Sequence, residues 1–300
     1  MNSTQPAVGL AYKVFVSEAP AQRGALPNGA PRSFSPIAST LIYGQENAVL
    51  TDPGFNPSTA QKLGDWVAAK GPKLTDIYIT HGHGDHWFAA QLLADRFGAR
   101  IVASAGVIQQ MHHNVAARPF LWDKAYDDIP PSPVTAVTVP DNRFTLEGHE
   151  LRIVDVGHGD SDDSSVLHVP DLGLVIAGDV IYNGAHQYVG DALGPDGLAP
   201  WRAAIGRVEA LAPQWIVSGH HNKLGDDDAV RQIAATRRYL DDAEAALKTK
   251  TTALDYFNHM IELYPDYAGQ LILWAGARAQ YGVRDHPDAD VRQIVASAWL

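Results

Sequence analysis

Residues 76–88, DIYITHGHGDHWF, place three histidines and an aspartate within six positions, directly behind an apolar run. His81, His83, Asp85 and His86 all carry atoms that can bind a metal ion. Once charged, such closely spaced side chains repel one another and gain little from packing. The cluster is therefore best explained by a cation bound among them, and the rest of the chain should supply the missing ligands.

Three further polar loops follow apolar runs that have the pattern of β-strands. They contain His158 in GHGDSDD, Asp179 in GD, and the adjacent pair His220 and His221 in SGHHN. Because open sheets assemble their sites at strand ends, these side chains are expected to meet the first cluster. The spacing alone leaves open whether His220 or His221 binds the metal.

The chain has no cysteine, so disulfides, thiolate chemistry and cysteine zinc ligands are all excluded. Any metal must be held by His, Asp or Glu. Such ligands suit zinc, and they also admit iron, manganese or cobalt.

The elements that must position these side chains fall into three stretches. Residues 1–36 are loop-rich, with one strand predicted at residues 12–16. Strands and helices then alternate over residues 37–225, which predicts an α/β core. Residues 226–300 show only helical periodicity, with apolar stripes that contain Phe257 and Trp274. This extension has too much apolar area to leave in water, so it should pack on the core and form a pocket wall or a homodimer contact.

Taken in order, the polar loops resemble the metallo-β-lactamase-fold hydrolase superfamily, whose signature is HxHxDH followed by a lone His, a lone Asp and a final His. The resemblance covers roughly residues 37–225 and includes Asp52 of LTDPG, where the family often has a structural acid. It implies an αββα sandwich with metals at one edge, here with a helical C-terminal extension. It also implies seven metal ligands: His81, His83, Asp85, His86, His158, Asp179 and His220.

The same resemblance implies how two Zn²⁺ ions would be shared. His81, His83 and His158 would hold the first ion, Asp85, His86 and His220 the second, and Asp179 would bridge them. His220 is preferred over His221 because the family's final His directly follows a glycine. The two ions would share a hydroxide as the nucleophile, so no serine or cysteine nucleophile is required.

The candidate catalytic residues are Asp85, Asp179, Tyr182 and His186. Tyr182 and His186 follow the bridging aspartate closely enough to donate to a substrate carbonyl or leaving group, although loop packing explains them equally well.

Other polar residues near the motifs have simpler explanations. Asp160, Asp162 and Asp163 can hydrogen-bond ligand histidines, but a solvated acidic loop is the simpler interpretation. The remaining histidines are expected to be ordinary surface or core residues: His112, His113, His149, His168 and His259.

The predicted function is hydrolysis of a small carbonyl compound such as a lactone, ester, thioester or amide. The ligand set is similar to that of dinuclear lactonases and glyoxalase II. Trp87 and Phe88 replace the small residues that usually follow the motif, which suggests a pocket for apolar substrates. The alternatives are a phosphodiesterase and a metal-retaining binding protein without catalysis.

The net charge and the first residues limit which partners and which compartment are expected. A net charge of -11 argues against binding to nucleic acid or an anionic membrane, and favours a small-molecule substrate. The first residues lack the basic leader and apolar core of a signal peptide, and no apolar run is long enough to span a membrane, so a cytoplasmic protein is expected.

Overall fold

The computed structural model describes residues 9–222 and 224–282, which form two five-stranded sheets with helices on their outer faces. The strands are β1 (Ala11–Val16), β2 (Ala21–Ala25), β3 (Pro31–Ser33), β4 (Ala38–Tyr43), β5 (Asn47–Thr51), β6 (Lys73–Tyr78), β7 (Arg100–Val102), β8 (Arg143–Leu146), β9 (His149–Gly157), β10 (Ser164–Val169), β11 (Leu174–Gly178) and β12 (Trp215–Ser218). The α-helices are α1 (Pro57–Ala68), α2 (Ala90–Phe97), α3 (Ala105–Ala117), α4 (Trp122–Ala125), α5 (Ala199–Ala210), α6 (Ala229–Thr249), α7 (Ala253–Leu263) and α8 (Gln270–Gln280).

The first sheet has the order β1-β4-β5-β6-β7 and the second β12-β11-β10-β9-β8. In the first sheet β4 and β5 form a hairpin, whereas β5, β6 and β7 run parallel and are connected through α1 and α2. In the second sheet β8 to β11 are antiparallel, and β12 runs parallel to β11. The predicted αββα sandwich is confirmed.

A buried apolar cluster joins the two sheets. Ile42, Val49 and Tyr78 of the first sheet pack in it with Leu167 and Val217 of the second. A larger cluster lies beneath the outer helices. Since the apolar side chains anchor the strands, the polar loops at the strand ends are free to carry the site.

The N-terminal segment contributes to the core. β1 pairs along its length with β4 and forms the edge of the first sheet, so the predicted strand at residues 12–16 is present. β2 and β3 form a separate two-stranded sheet. Part of the segment predicted as loop-rich is therefore ordered β-structure, and the domain boundaries drawn from the sequence stay predictions.

The C-terminal extension packs on the sandwich through α6, α7 and α8. Tyr239, Tyr256 and Phe257 are fully buried in the larger cluster. On α6, the Thr236 hydroxyl accepts a hydrogen bond from the backbone N–H of Tyr182, which links the extension to the loop after β11. The part of the predicted extension at residues 283–300 lies outside the described residues. Within the described ranges, no helix is long and apolar enough to cross a membrane.

Candidate metal centre

The ends of four strands bring the predicted ligands to one edge of the sandwich. The histidine cluster follows β6, His158 follows β9, Asp179 follows β11 and His220 follows β12. Within the described part of the chain, His and Asp side chains form three compact groups in which the ligand atoms lie within 4.8 Å of one another: His81 with His86 and Asp179, His81 with His83 and Asp160, and Asp85 with His86 and His220.

The group formed by Asp85, His86 and His220 is deeply buried. The Asp85 Oδ2 atom lies 3.1 Å from His86 Nε2 and 3.3 Å from His220 Nε2. Three ligand atoms from two loops thus face one point, as the sequence predicts for the second metal.

Asp179 lies beside this group and is also grouped with His81, a predicted ligand of the first metal. Its Oδ1 atom is 3.4 Å from His86 Nε2, and its Oδ2 atom is 3.1 Å from His220 Nε2. It forms a compact group with His81 and His86 as well. This position between the two predicted metals is the one that a bridging carboxylate needs, and the bridging role stays a prediction.

The ligands predicted for the first metal are arranged differently from the expectation. His81 and His83 are grouped with Asp160, whose Oδ2 atom is 3.0 Å from His83 Nδ1. His158 faces the same cavity and pairs through Nδ1 with Asp162 at 2.6 Å, but it belongs to none of the three groups found in the described ranges.

Contacts behind the ligands fix the ring orientations. Asp52 accepts hydrogen bonds from the Thr80 backbone N–H and hydroxyl, and its Oδ2 lies 3.4 Å from His86 Nδ1. Asp52 thus lies under the metal loop, as the sequence suggested. The His220 ring places Nδ1 3.0 Å from the Pro36 carbonyl, so that Nε2 faces the metal group. His221 turns instead toward Asn183, whose amide lies 3.1 Å from its Nδ1.

Gly219 allows these side chains to approach closely. A Cβ atom at this position would lie 2.1 Å from Asp179 Oδ1 and 2.7 Å from His86 Cε1. Contacts this short are repulsive, so the loop after β12 needs a glycine here for both side chains to keep their positions.

The donor set fits divalent metal ions. Several buried polar atoms of the centre have no hydrogen-bond partner among the described residues: His81 Nε2, His86 Nε2, His158 Nε2, Asp160 Oδ1 and Asp179 Oδ1. Buried polar atoms are normally paired, and burial together with the charge of Asp179 raises the pKa of Asp160, so the charged carboxylates disfavour one another. A cation coordinated by these atoms removes both costs.

The pKa shifts point the same way. Against the effect of burial, which lowers it, Asp179 and Asp85 raise the pKa of His220 to about 10. Asp160 raises the pKa of His83 above its usual value in the same manner, again against burial. The carboxylates therefore favour positive charge at these nitrogens, and a metal ion supplies that charge in place of the protons.

The two catalytic candidates of the loop after β11 lie in different places. The Tyr182 hydroxyl donates to Asp179 Oδ2 at 2.7 Å and lies 3.4 Å from Asp160 Oδ2, at the cavity wall. His186 is fully buried, is not among the cavity residues, and lies with Nδ1 3.1 Å from the Tyr239 hydroxyl. Burial lowers the pKa of His186 to about 3. The structure thus places His186 against the extension, where it does not reach the cavity.

The centre opens into a cavity of about 1460 Å³. Phe34, Trp122 and Tyr126 line one part of it, and Leu271 and Ile272 of α8 line another. The extension therefore forms part of the cavity wall.

The residues that line the cavity are partly different from those expected from the sequence. Trp87 and Phe88, predicted to shape the pocket, are buried outside it, and the Trp87 indole N–H donates to the Gly82 carbonyl. They pack beneath the metal loop, because both side chains point into the core. Conversely His112 and His113, expected to be ordinary, line the cavity from α3.

An αββα sandwich with His and Asp ligands collected at one sheet edge defines a class of metal-binding proteins. The chain belongs to the metallo-β-lactamase superfamily, because the sequence model of that superfamily matches residues 32–220. The relatives include a UPF0173 metal-dependent hydrolase from Staphylothermus marinus, 26% identical over 62% of this chain and 78% of the relative. Another protein of that name, from Thermofilum pendens, is 26% identical over 70% of this chain and 87% of its own.

Solved structures share the fold. A metallo-beta-lactamase family protein from Thermus thermophilus superposes with a TM-score of 0.62 at 18% identity, over 89% of this chain and 91% of that one. A beta-lactamase domain protein from Burkholderia ambifaria gives a TM-score of 0.59 at 18% identity and covers 97% of this chain and 92% of its own. The second match also spans the described part of the helical extension.

Proposed function

We propose that this protein is a dinuclear metal-dependent hydrolase that cleaves a small carbonyl compound such as a lactone, ester, thioester or amide. The observation that carries the proposal is the pair of compact ligand groups, around His83 and around His220, with Asp179 between them. The names of the relatives from Staphylothermus marinus and Thermofilum pendens support a metal-dependent hydrolase.

Of the seven residues named from the sequence, six fall in the compact groups and would hold the metals, and His158 is the one outside the groups found in the described ranges. When bound, two zinc ions would supply a hydroxide at neutral pH and would polarise the scissile carbonyl. Iron, manganese or cobalt would also fit imidazole and carboxylate ligands.

The protein's own side chains prepare the ligands for this task. The Pro36 carbonyl accepts from the Nδ1–H of His220, and Asp52 lies at the Nδ1 atom of His86, so each ring presents Nε2 to the centre. Tyr182 donates to Asp179 Oδ2 and fixes the carboxylate between the groups. Ordering these side chains in advance reduces the reorganisation that substrate binding and reaction require.

The cavity favours uncharged substrates with an apolar part. Phe34, Trp122 and Tyr126 offer aromatic surface beside the ligands. The described lining also contains several aspartates beyond the ligands, with Arg32 as its only arginine and no lysine. This acidic lining disfavours the polyanionic substrate of a phosphodiesterase.

The test is a hydrolysis screen over lactones, esters, thioesters, amides and phosphodiesters, with metal content measured on the same sample. We expect about two metal ions per chain, turnover of one of the carbonyl classes, and loss of that turnover after chelation with recovery on adding zinc. Preferential cleavage of phosphodiesters would replace the proposal by the phosphodiesterase alternative. Tight metal binding without turnover of any class would show a binding protein instead.

A further inference from the structure

Asp160 lies in the polar loop after β9, where the sequence suggested a solvated acid. In the structure it is 2% exposed. Its Oδ2 atom is 3.0 Å from His83 Nδ1, and its Oδ1 atom is 3.8 Å from His81 Nε2 and has no hydrogen-bond partner in the described part of the chain. A buried carboxylate whose two oxygens face two imidazole nitrogens is an arrangement found in metal sites.

We propose that Asp160 is itself a metal ligand, and that it holds the first metal ion together with His81 and His83. The inference rests on the metal-binding half of the proposed function, and it does not depend on which substrate is cleaved. Asp160 would take the place that the sequence gives to His158, which belongs to none of the compact groups in the described ranges. The two sites would then have the same donors beside Asp179, two imidazoles and one carboxylate, since the deep group consists of Asp85, His86 and His220.

Asp160 could bind the metal itself or could only orient the His83 ring. The contact made by the other ring nitrogen, His83 Nε2, decides between these two roles. His83 Nε2 lies 3.1 Å from Asp191 Oδ2, so the ring is placed between two carboxylates. A neutral imidazole has one N–H and one lone pair. If Asp191 accepts the Nε2–H, the lone pair is on Nδ1 and points to the side where Asp160 and His81 lie. Asp191 then orients the ring, and Asp160 is not needed for that purpose.

The burial of the two carboxylates supports the same assignment. The Asp191 side chain is 43% exposed, so water can solvate its charge, whereas the Asp160 side chain is 1% exposed. A buried carboxylate needs compensation by a cation or by several donors. Asp160 has the distant Tyr182 hydroxyl at 3.4 Å and the shared His83 ring, which leaves Oδ1 to the metal.

The experiment compares two isosteric substitutions on either side of one imidazole, Asp160→Asn and the matched control Asp191→Asn. Metal content after dialysis and zinc affinity by chelator competition are measured, together with the visible absorption of the cobalt-loaded proteins. We expect Asp191→Asn to keep two metals and lose no more than the roughly 10- to 100-fold in affinity typical of an outer partner. Asp160→Asn should retain about one metal per chain, and its cobalt spectrum should change in intensity because one ligand is lost.

Retention of two metals by Asp160→Asn, with an affinity equal to that of Asp191→Asn, would overturn the ligand role. Should Asp160→Asn fail to fold by circular dichroism, the zinc-loaded wild-type crystal structure decides. It should place an Asp160 oxygen about 2.0–2.2 Å from zinc, and a separation above about 3 Å rejects the proposal. Absence of turnover would count against the proposed function and would leave these metal measurements unaffected.

Discussion

The two sides of the metal centre are built differently. On the deep side, Asp85, His86 and His220 are almost completely buried, and the contacts behind the two rings come from the buried Asp52 and from a backbone carbonyl. On the open side, the His83 and His158 side chains keep 18% and 16% of their surface accessible. Their outer carboxylates are solvent-exposed: Asp191 has 43% and Asp162 has 72% of its side chain accessible.

This difference suggests that the two sides differ in how tightly they hold a metal ion and in how easily they adapt to a substrate. The deep side is buried and backed by Asp52 and the Pro36 carbonyl, so it should hold its metal tightly and tolerate little change. The open side is partly exposed and backed by the solvent-exposed Asp191 and Asp162, so it should bind its metal more weakly and adapt to the substrate. Asp179 contacts His86 and His220 and reaches His81, and it therefore belongs to both sides.

The largest effect is expected from ending the chain at residue 225. This removes Tyr239, Tyr256 and Phe257, all fully buried. Burial of each such side chain contributes roughly 1.5–3 kcal/mol, so their combined loss approaches the roughly 5–15 kcal/mol that stabilises a whole domain. We expect an insoluble or inactive protein, measured by solubility, circular dichroism and metal content. A soluble truncation with full activity would show that the open side does not depend on the extension.

The next largest effect is expected from Asp179→Asn, which keeps the size and removes the charge shared by both sides. The second metal should bind poorly, and kcat should fall at least about a hundredfold, in line with the loss of one electrostatic stabiliser. The fold should survive, because the buried apolar residues of β11 anchor the strand. Metal content, circular dichroism and turnover are measured beside Asp196→Asn, an exposed cavity carboxylate that should change little. Full activity with two metals would assign the bridge to another residue.

Gly219→Ala tests the rigidity of the deep side without removing a ligand. The added methyl group would lie 2.1 Å from Asp179 Oδ1, so either that side chain or the loop must move. We expect metal affinity and kcat to fall about tenfold to a hundredfold, since displaced ligands lose geometry. Gly194→Ala is the matched control on the open side, because a Cβ there meets nothing within 4 Å. Equal effects of the two substitutions would contradict the division into a rigid and an adaptable side.

These differences also explain what the sequence could predict. His81, His83, Asp85 and His86 could be found because their spacing is local, and the strand pattern around them placed them at a sheet edge. The sequence offered Asp160 both as a partner of ligand histidines and as a solvated acid without deciding between them, and it did not indicate Asp191, because the distance of each to His83 depends on how separate loops fold over the cavity. Local spacing carries no information on such contacts.

His186 shows that sequence proximity can also suggest a contact that the fold does not make. The sequence places it seven positions after Asp179, near enough to reach a substrate. The chain turns at Gly184, which has a φ of +67°, and the His186 backbone N–H then donates to the Ala268 carbonyl of the extension. That partner is more than eighty positions away, so only the tertiary structure reveals it.

The smallest effect is expected from Tyr182→Phe, which removes one hydroxyl where the two sides meet. That hydroxyl donates to Asp179 Oδ2 at 2.7 Å, and hydrogen bonds to charged groups contribute about 1.5–3 kcal/mol. We therefore expect kcat and metal affinity to fall by about tenfold, the lower end of this range because no charge is removed, and to fall together because Tyr182 acts through the carboxylate. In the Asp179→Asn background the same substitution should have little further effect, which a double-mutant cycle measures. A fall in kcat with unchanged metal affinity, additive with Asp179→Asn, would instead show that Tyr182 donates to the substrate and that its contact with Asp179 is replaced during turnover.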